Sequence, residues 1–549
     1  MRIVVVGGVA GGMSCAARAR RLAEDAEIIV LERGEYVSYA NCGLPYYVGG
    51  EITDRDALLL HTPKTLARIL DLDVRTEHEA IGIDPAARTV QVRTPDGEET
   101  ITYDELVLAP GAKTFIPSIP GIDDPRVHAL RTVPDADALQ ELVGDARSAV
   151  VIGAGFIGLE TVEALTNRGI AVRIVELSDH ILPPLDADLA HYLRAELVNR
   201  GVEVHEGTEV KAIHPKDDCV LVEVDDGQRY PADLVVVSTG VTPDGALAAD
   251  AGLELGVRGS IRVDSTGRTS DEHIWAVGDV VEQVFAVTGE PQPVPLAGLA
   301  NRDGRRVADA IFGRAVERRP VLSTAIVRVF GMTAAATGPT QAHLKAAGID
   351  YFAVKLHPGH HAGYYPGARP LHLTVNFGTD GRVLSAQAVG AEGVDKRIDV
   401  LATAIRAGMD ADDIAELELA YAPPFGSAKD PVNMAGMIAQ NALGGLLPLW
   451  QAEEYDPAAD VLWLDCRSTR EFARGHVPGS INIPHTQIRD RLDELREAAA
   501  GRPIKTYCAT GFRGYLVTRI LTQQGEDVAH LSGGLETFVA ARPDVELES

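Results

Sequence analysis

Short apolar runs, each followed by a glycine-rich turn and a helical pattern, occur twice in the first third of the chain. The first occurrence runs through a strand at Ile3–Val6, a turn at Gly7–Gly12, a helix at Met13–Leu22 and a strand at Ile28–Leu31. The second runs through Ala149–Ile152, Gly153–Gly158, Leu159–Asn167 and Val172–Val175. Apolar runs bounded by glycine predict buried strands, and this order of elements is typical of nucleotide-binding α/β units. We therefore expect an α/β fold that holds two dinucleotides.

The rest of the chain predicts further domains, of which the region from about Val321 to Gln440 has no phosphate loop of its own. Alternating strands at Leu371–Asn376 and Val383–Val389, with a helix at Val394–Ala407, indicate a region of packing or dimerisation. Glycines and prolines between residues 441 and 460 indicate a linker. A fresh α/β unit begins at Val461–Leu464.

Composition excludes several classes of protein. The chain has 549 residues and a formal charge of −28, so we expect several domains and no general affinity for nucleic acid. No apolar run is long enough for a membrane span, and the N-terminus enters the first glycine turn at once, so we expect a cytoplasmic protein. The five cysteines are too few for a disulfide scaffold. No metal site is predicted.

The second glycine turn, GAGFIG at residues 153–158, fits the G-x-G-x-x-G pattern completely. Its glycines let backbone N–H groups and the helix dipole approach a pyrophosphate. Glu176 ends the next strand, where a carboxylate accepts hydrogen bonds from a ribose diol and repels a 2′-phosphate. This favours NADH over NADPH, and a purely structural glycine turn is the alternative.

The first turn, GGVAGG at residues 7–12, departs from the pattern because Val9 stands at the second glycine position. Glu32, which ends the following strand, supports a ribose contact, and a plain strand–helix turn is the alternative. Much later in the chain, Asp279 follows an apolar strand and Gly278, where it can meet a ribityl hydroxyl.

These motifs together resemble the pyridine nucleotide–disulfide oxidoreductases over residues 1 to about 440, and the segment SYANCGLP at residues 38–45 resembles their lone-cysteine branch, specifically the coenzyme A disulfide reductases. The resemblance implies bound FAD and NADH (or NADPH). We predict cofactor contacts at Gly7, Gly8, Ala10, Gly11, Gly12, Glu32, Gly111, Gly153, Gly155, Gly158, Glu160, Glu176, Gly240, Gly278, Asp279 and Ala297.

Cys42 has no second cysteine close by with which to form an internal disulfide. We expect a single thiol held against the flavin, with the thiolate favoured by the oxidised ring and a helix N-terminus. A mixed disulfide with a small thiol is then the natural intermediate. An unreactive buried cysteine is the alternative.

The resemblance also implies a coenzyme A channel and a tyrosine pair supplied by the partner subunit of a homodimer. The channel residues would be Ser14, Arg18, Arg21, Ser38 and Asn41, with Asn301, Arg305 or Arg306, and Lys429 as further candidates. For the arginines, a solvated helix face is the alternative to phosphate binding. Tyr421 is one member of the tyrosine pair, and Tyr364 or Tyr365 is the other. Their phenols can protonate a sulfur leaving group, with core packing as the alternative.

The C-terminal hundred residues resemble a rhodanese domain, through DCR at 465–467, GHVPGSINIP at 475–484 and CATGFR at 508–513. The last loop directs backbone N–H groups and Arg513 at an anion on Cys508, which suits a persulfide. A phosphatase loop usually has one more residue between cysteine and arginine. Cys466 is interpreted as a buried spectator or a resolving thiol for Cys508, and Cys15 and Cys219 as structural.

The resemblance thus divides the chain into two Rossmann-like nucleotide-binding domains, an α+β dimerisation domain and an α/β rhodanese domain. The predicted boundaries are 1–115 and 245–320 for FAD, 116–244 for NAD, 321–440 for dimerisation, 441–455 for a linker and 456–549 for the rhodanese domain. The predicted activity is reduction of CoA disulfide, CoA persulfide or polysulfide through Cys42, with sulfur transfer through Cys508. The alternatives are an NADH oxidase or peroxidase that cycles Cys42 through sulfenic acid, and a redox-sensing binding protein.

Overall fold

The computed structural model describes all residues from 1 to 549 and contains two compact units. The first unit comprises Met1–Asp179 and Arg200–Ser323, and the second comprises His180–Asn199 and Thr324–Ser549. None of the helices combines the length and the apolar character needed to cross a membrane.

Two parallel five-stranded sheets organise the first unit. The strand order of one is Ile274–Ala276, Glu105–Leu108, Arg2–Val6, Glu27–Leu31 and Asp73–Arg75. The order of the other is Glu203–His205, Ala171–Val175, Ser148–Ile152, Leu234–Val237 and Val127–Ala129. In each sheet the central strand leads through a glycine turn into a helix, Ala10–Arg20 or Phe156–Asn167. The predicted α/β fold class is confirmed.

Antiparallel hairpins and further helices complete this unit. Its three-stranded sheets are Glu79–Asp84, Thr89–Thr94 and Gly97–Thr102, and Val210–Pro215, Val220–Val224 and Arg229–Ala232. Its two-stranded pairs are Ala112–Thr114 with Val241–Pro243, and Glu282–Val284 with Pro291–Pro293. The remaining helices are Leu44–Val48, Pro63–Leu70, Val133–Val143, Ala246–Asp250 and Ala297–Ile311.

Both nucleotide-binding helices begin three residues earlier than the sequence pattern predicts. Gly12 therefore lies inside the first helix, where a Cβ atom would stand 1.9 Å from the Gly7 carbonyl oxygen. Gly7 itself has a φ of +104°, which favours glycine. The glycines serve close helix–strand approach as well as the turn, so apolar periodicity places the helix start too late.

The second unit contains an antiparallel five-stranded sheet with helices packed on it. Its strand order is Ala325–Val329, Met332–Thr337, Val383–Gly390, Leu371–Gly378 and Tyr351–Leu356. The helices of this region are Ala187–Asn199, Gln341–Ala346, Val394–Ala407, Ala411–Ala415 and Pro431–Leu443. Leu373, Val375 and Phe377 pack with Leu401 in its core.

A second, parallel sheet follows in the same unit. Its order is Leu449–Trp450, Val528–Leu531, Ile504–Tyr507, Leu462–Asp465 and Ile481–Asn482. Its helices are Thr469–Phe472, Leu492–Ala499, Phe512–Gln523 and Gly534–Ala541.

The segment 441–455, predicted as a linker, includes ordered secondary structure. It contains the end of helix Pro431–Leu443 and the edge strand Leu449–Trp450. Trp450 is fully buried, and this burial holds the strand against the parallel sheet. The connection without regular structure is therefore only residues 444–448, because the glycines there end the helix while the following apolar residues join the core.

The two sheets of the second unit are joined by buried polar contacts. Strand Tyr351–Leu356 receives a hydrogen bond from Gln451 Nε2 to the Ala353 carbonyl (3.0 Å), and its Lys355 N–H donates to Ser532 Oγ (2.9 Å). The Lys355 ammonium lies 3.0 Å from Asp188 and 3.2 Å from Glu453. These contacts thus hold the C-terminal parallel sheet against the antiparallel sheet, in addition to the covalent connection between them.

We predict that Gly158→Ala destabilises the first unit by about 1–3 kcal/mol, because a Cβ atom there overpacks the turn. That atom would lie 2.0 Å from the Gly153 carbonyl oxygen. Gly155→Ala is the matched control, since no atom lies within 4 Å of its Cβ position. Thermal unfolding of the purified variants measures both effects. Equal midpoints for the two variants would contradict this account.

Candidate functional site

A cleft of about 710 Å³ opens at the carboxyl ends of the first sheet. The predicted cofactor residues that line it are Gly7, Ala10, Gly11, Glu32, Gly111, Gly278 and Asp279. Ala297 is not among the lining residues, because it only begins the helix whose Ala300 reaches the cleft. The glycine turn, the strand-end carboxylates and the size of the cleft fit a dinucleotide such as FAD.

Glu32 is held in place at the end of its strand. Its carboxylate accepts hydrogen bonds from the N–H groups of Gly8 and Gly34, each at 2.8 Å. A Cβ on Gly8 would lie 2.7 Å from Val37 and 3.1 Å from the Glu32 side chain. The carboxylate therefore lies beside the turn, where a ribose diol is recognised in folds of this type.

Asp279 pairs with Arg131, a residue that sequence reasoning missed. Arg131 Nη2 lies 3.3 Å from the Asp279 carboxylate, and its Nε donates to the Ala112 carbonyl at 3.2 Å. Burial raises the pKa of Asp279, and the Arg131 guanidinium opposes the shift. The only signal in the sequence is that Arg131 follows the end of strand Val127–Ala129, and cationic residues at strand ends are too common to single it out.

Cys42 lies in the short turn Asn41–Gly43 and its side chain is exposed, while Asn41 lines the cleft. The protein groups around the thiol do not lower its pKa as expected. Partial desolvation raises the pKa of Cys42, the carboxylates of Glu160 and Asp279 raise it further, and Arg131 opposes them. The five-residue helix after the turn is too short to outweigh these effects. A stable thiolate therefore needs an additional electron-poor group beside the sulfur, a role that suits an oxidised flavin.

Glu160 is tied to the Cys42 segment as well as to the second nucleotide turn. Its carboxylate accepts a hydrogen bond from the Tyr46 hydroxyl at 3.0 Å. Because it also acts electrostatically on Cys42, we assign it to the thiol environment.

The second glycine turn has the geometry that its sequence predicts. Gly153 has a φ of +99°, and its Cβ position would lie 2.5 Å from the Ser238 carbonyl oxygen. Glu176 is buried at the strand end and accepts hydrogen bonds from Ala154 N–H (2.6 Å) and Ser178 N–H (2.8 Å). Gly240, with a φ of +93°, follows the neighbouring strand of the same sheet. These residues fit the adenosine end of a nicotinamide dinucleotide.

The residues predicted to line a coenzyme A channel fall into two groups. Ser14 and Asn301 meet across two packed helices, with Ser14 Oγ donating to Asn301 Oδ1 at 2.7 Å. Arg18 is bound through two nitrogens to Asp309 (2.6 and 3.0 Å), and Arg306 is bound to Asp303 (2.5 Å).

The ion pairs correct the expectation that Arg18 is a free phosphate ligand. Arg21 and Arg305 are exposed and have no carboxylate partner, so they are the better cations for phosphate. Ser38 has a φ of +51° and its N–H donates to the Gly8 carbonyl at 2.8 Å, which ties it to the first nucleotide turn.

In the second unit, Tyr364 and Tyr421 form a pair of exposed phenols. Their hydroxyl oxygens are 3.0 Å apart, whereas Tyr365 packs edge-on against His361. Tyr364, rather than Tyr365, is therefore the tyrosine that is hydrogen-bonded to Tyr421. Lys429 is exposed beside the buried Asp430.

Buried Arg397 holds the two loops that carry these tyrosines. Its guanidinium donates to the His360 carbonyl (2.9 Å) and to Asp430 (2.8 Å). A backbone hydrogen bond from Ala362 N–H to the Gly426 carbonyl (2.9 Å) also joins the loops. The sequence carries no periodic signal for such a cross-loop contact.

The loop at residues 508–513 follows strand Ile504–Tyr507 and leads into helix Phe512–Gln523. The Gly511 N–H donates to Cys508 Sγ at 3.3 Å, and Gly511 has a φ of +114°. The carbonyls of Cys508 and Ala509 accept from Leu535 (2.8 Å) and Glu536 (3.0 Å). Because those carbonyls are engaged elsewhere, the loop is free to present N–H groups to an anion on the cysteine.

Glu471 fixes the orientation of Arg513. Its two oxygens accept from the two terminal nitrogens of Arg513 at 2.8 and 2.7 Å. Hydrogen bonding to Arg513 lowers the pKa of Glu471 far below its usual range. This contact was not predicted from the sequence.

The other cysteines lie in different surroundings. Cys466 is fully buried beside the Cys508 loop, and Cys219 is half-buried in a hairpin turn. Cys15 is buried in the first helix, where desolvation raises its pKa to about 12. Cys15 and Cys219 therefore suit a structural role.

Family models match nearly the whole chain. The pyridine nucleotide-disulphide oxidoreductase model matches residues 1–299, its dimerisation domain matches residues 324–431, and a rhodanese-like domain matches residues 450–541. The chain belongs to the pyridine nucleotide-disulphide oxidoreductase family. This family depends on FAD and NAD(P)H, in agreement with the two dinucleotide cradles described above.

Some relatives match the whole chain, and others match only the oxidoreductase region that precedes the rhodanese-like domain. A coenzyme A disulfide reductase from Staphylococcus haemolyticus is 36% identical over 80% of this chain and 99% of its own length. The structure of reduced Bacillus anthracis CoADR-RHD is 41% identical, with a TM-score of 0.97, covering 100% of this chain and 99% of that one.

Two further similar structures are of enzymes whose names describe different reactions. A NAD-dependent persulfide reductase from A. fulgidus is 40% identical, with a TM-score of 0.92, covering 98% of this chain and 100% of its own. A water-forming NADH oxidase from Lactobacillus brevis is 27% identical, with a TM-score of 0.78, covering 81% of this chain and 99% of its own.

We predict that Glu471→Gln slows thiosulfate-dependent sulfur transfer by roughly 100-fold, because loss of the bidentate acceptor lets the Arg513 guanidinium shift away from the loop. NADH oxidation with a disulfide acceptor should be unchanged. Glu494→Gln, which removes a surface partner of Arg491, is the control and should leave both rates intact. Equal rates for Glu471→Gln and wild type would show that Arg513 needs no such support.

Proposed function

We propose that the protein is an FAD- and NAD(P)H-dependent reductase of CoA disulfide, CoA persulfide or polysulfide that also transfers sulfane sulfur through its rhodanese-like domain. The observation that carries this proposal is the presence in one chain of two differently built thiol sites. Cys42 is an exposed single thiol beside a dinucleotide cleft, and Cys508 lies in an anion-binding loop. The similarity to a coenzyme A disulfide reductase and to a persulfide reductase supports sulfur compounds as substrates.

The reductase site would work by thiol–disulfide exchange. The Cys42 thiolate attacks a disulfide RSSR, forms the mixed disulfide Cys42–S–S–R and releases one thiolate. Two electrons and a proton then return Cys42 and the second RSH. Bound FAD supplies the two-electron connection between the nicotinamide and sulfur.

The surroundings of Cys42 favour this cycle over storage of a free thiolate. Glu160 and Asp279 disfavour negative charge on the sulfur, and Arg131 moderates their effect. A neutral mixed disulfide avoids that repulsion, so the site favours the bound-thiol state. No second cysteine is placed to form an internal disulfide, and the released electrons leave on a diffusible thiol.

Tyr421 and Tyr364 would protonate the departing thiolate at the Cys42 site of the partner subunit in a homodimer. Both phenols are exposed and are hydrogen-bonded to each other, and the region that carries them matches the dimerisation domain. One hydroxyl can donate a proton to the thiolate while the other stabilises the donor through their hydrogen bond.

Glu176 supports NADH as the preferred reductant. Its carboxylate is buried at the strand end and is already held by two backbone N–H groups, so a 2′-phosphate there would meet an unneutralised negative charge. Arg21 and Arg305 are the proposed contacts for the phosphates of coenzyme A, and Ser14 and Asn301, which precede them in the chain, are hydrogen-bonded to each other.

The rhodanese-like domain would take sulfane sulfur onto Cys508. The loop N–H groups and Arg513 stabilise the negative persulfide, and a coenzyme A thiol would accept the outer sulfur. The resulting CoA persulfide is a substrate of the kind that the Cys42 site would reduce.

An NADH oxidase is the second candidate, because the exposed single thiol and the similarity to the Lactobacillus brevis enzyme are compatible with it. In that case Cys42 would cycle through sulfenic acid and oxygen would be the acceptor. The rhodanese-like domain has no part in such a reaction, and the oxidase match covers only 81% of this chain.

Single substitutions in the holoenzyme distinguish the activities of the two thiol sites. We expect Cys42→Ser to abolish anaerobic NADH oxidation with CoA disulfide while thiosulfate-dependent sulfur transfer continues. Cys508→Ser should do the reverse, and Cys219→Ser should retain both activities. NADH absorbance and sulfite release measure the two reactions.

Survival of CoA disulfide reduction in Cys42→Ser would remove the basis of the proposal. Faster NADH oxidation with oxygen than with every sulfur acceptor would instead favour the oxidase.

The tyrosine pair gives a separate prediction. Tyr421→Phe and Tyr364→Phe should each lower kcat for CoA disulfide by roughly 100-fold with little change in KM, because they lose a proton donor and keep the ring. Tyr365→Phe is the matched control and should keep kcat, since its hydroxyl is not part of the pair. A loss of activity confined to Tyr365→Phe would show that Tyr365, and not Tyr364, is the proton donor.

A further inference from the structure

Two cysteines of the rhodanese-like domain stand side by side at the ends of adjacent parallel strands. Strands Leu462–Asp465 and Ile504–Tyr507 pair with Asp465 opposite Tyr507, and the next residues are Cys466 and Cys508. The pairing continues one residue further, because Cys466 N–H donates to the Tyr507 carbonyl at 2.9 Å. Neighbouring strands lie about 4.8 Å apart, and a disulfide requires a Cα separation of about 4.4–6.8 Å.

The two side chains also point to the same face of the sheet. Cys466 and Cys508 belong to one apolar cluster with Leu464 and with Val517 of the helix that follows the loop. The intervening Tyr507 belongs to the cluster on the opposite face. Because side chains alternate along a strand, both thiols lie under the same helix. With relative exposures of 0% and 1%, both cysteines are shielded from solvent.

Electrostatics agrees with this proximity. Burial raises the pKa of Cys466 well above its usual value, and negative charge on Cys508 is the next cause. Cys466 therefore carries its proton while Cys508 or its persulfide is anionic. The arrangement gives a thiol with a transferable proton beside the carrier sulfur.

We propose that Cys466 is a second redox thiol, which forms a disulfide with Cys508 and releases hydrosulfide from the Cys508 persulfide. The inference rests on the proposed function for its first step, the loading of sulfur onto Cys508.

The step balances in atoms and electrons. Loading converts the Cys508 thiolate and thiosulfate into Cys508–S–S⁻ and sulfite. The Cys466 sulfur then bonds to Cys508 Sγ, the bond from Sγ to the outer sulfur breaks, and the Cys466 proton leaves with that sulfur as HS⁻. The two cysteine sulfurs are oxidised to a disulfide while the outer sulfur is reduced from the sulfane state to sulfide.

Small thiols would restore the pair. Two equivalents of a thiol such as coenzyme A convert the disulfide back to two cysteines and yield one molecule of RSSR. That product belongs to the substrate class proposed for Cys42. Sulfide release in the rhodanese-like domain would then draw its reducing power from NADH through a diffusible disulfide.

The test loads the full-length holoenzyme with thiosulfate under anaerobic conditions, without NADH or added thiol. For wild type we expect equal yields of sulfite and sulfide per chain, and a Cys466–Cys508 disulfide in peptide mass mapping. In Cys466→Ser we expect the sulfite burst to remain, sulfide to fall to background and Cys508 to retain one additional sulfur. Cys219→Ser is the matched control and should behave as wild type.

Each result bears on a different claim. Sulfite release from wild type with a stable persulfide and no sulfide would overturn the role of Cys466 and leave the sulfur-carrier function intact. Absence of sulfite from wild type would overturn sulfur loading and the inference with it. The sulfite burst also reports folding of Cys466→Ser, and the wild-type mapping decides the question even where that variant does not fold.

Discussion

Parallel strand pairing brings the functional loops of this chain to the carboxyl edges of three sheets. Glu32 and Asp279 follow strands of the first sheet, Glu176 follows a strand of the second, and Cys508 follows a strand of the third. Strands in a parallel sheet point the same way, so the loops after them meet at one edge and expose N–H groups there. Anions and nucleotides bind at such an edge for the same reason in each case.

The two proposed sulfur sites use opposite solutions to the problem of a charged sulfur. Cys508 is buried, and an anion on it would be compensated by the Gly511 N–H group and by Arg513. Cys42 is exposed, and its nearest carboxylates work against the thiolate. The first arrangement stabilises an anion that waits for an acceptor. The second favours a neutral disulfide that is held until electrons arrive.

The sequence was sufficient wherever backbone geometry dictates residue type. Gly7 and Gly153 adopt positive φ, and a side chain on either would collide with a carbonyl. The glycine pattern was therefore enough to locate both nucleotide turns. The family resemblance correctly indicated the fold and the rhodanese-like domain. The contacts of Arg131, Arg18 and Arg397 could not be predicted from the sequence. Each joins residues far apart in the chain, and the sequence does not show which of many carboxylates is the partner. The choice of Tyr364 over Tyr365 likewise depends on which way two adjacent side chains turn in a loop.

Coenzyme A, the proposed ligand, is a polyanion like the protein itself. A formal charge of −28 repels such a ligand at long range, although salt screens the repulsion beyond about 10 Å. Binding must then depend on nearby cations that no carboxylate already neutralises. Arg18 and Arg306 are paired with aspartates, whereas Arg21 and Arg305 are not. Of these two ion pairs, Arg18–Asp309 joins the two helices, so under the proposed function the contact that packs them also removes one arginine from phosphate binding.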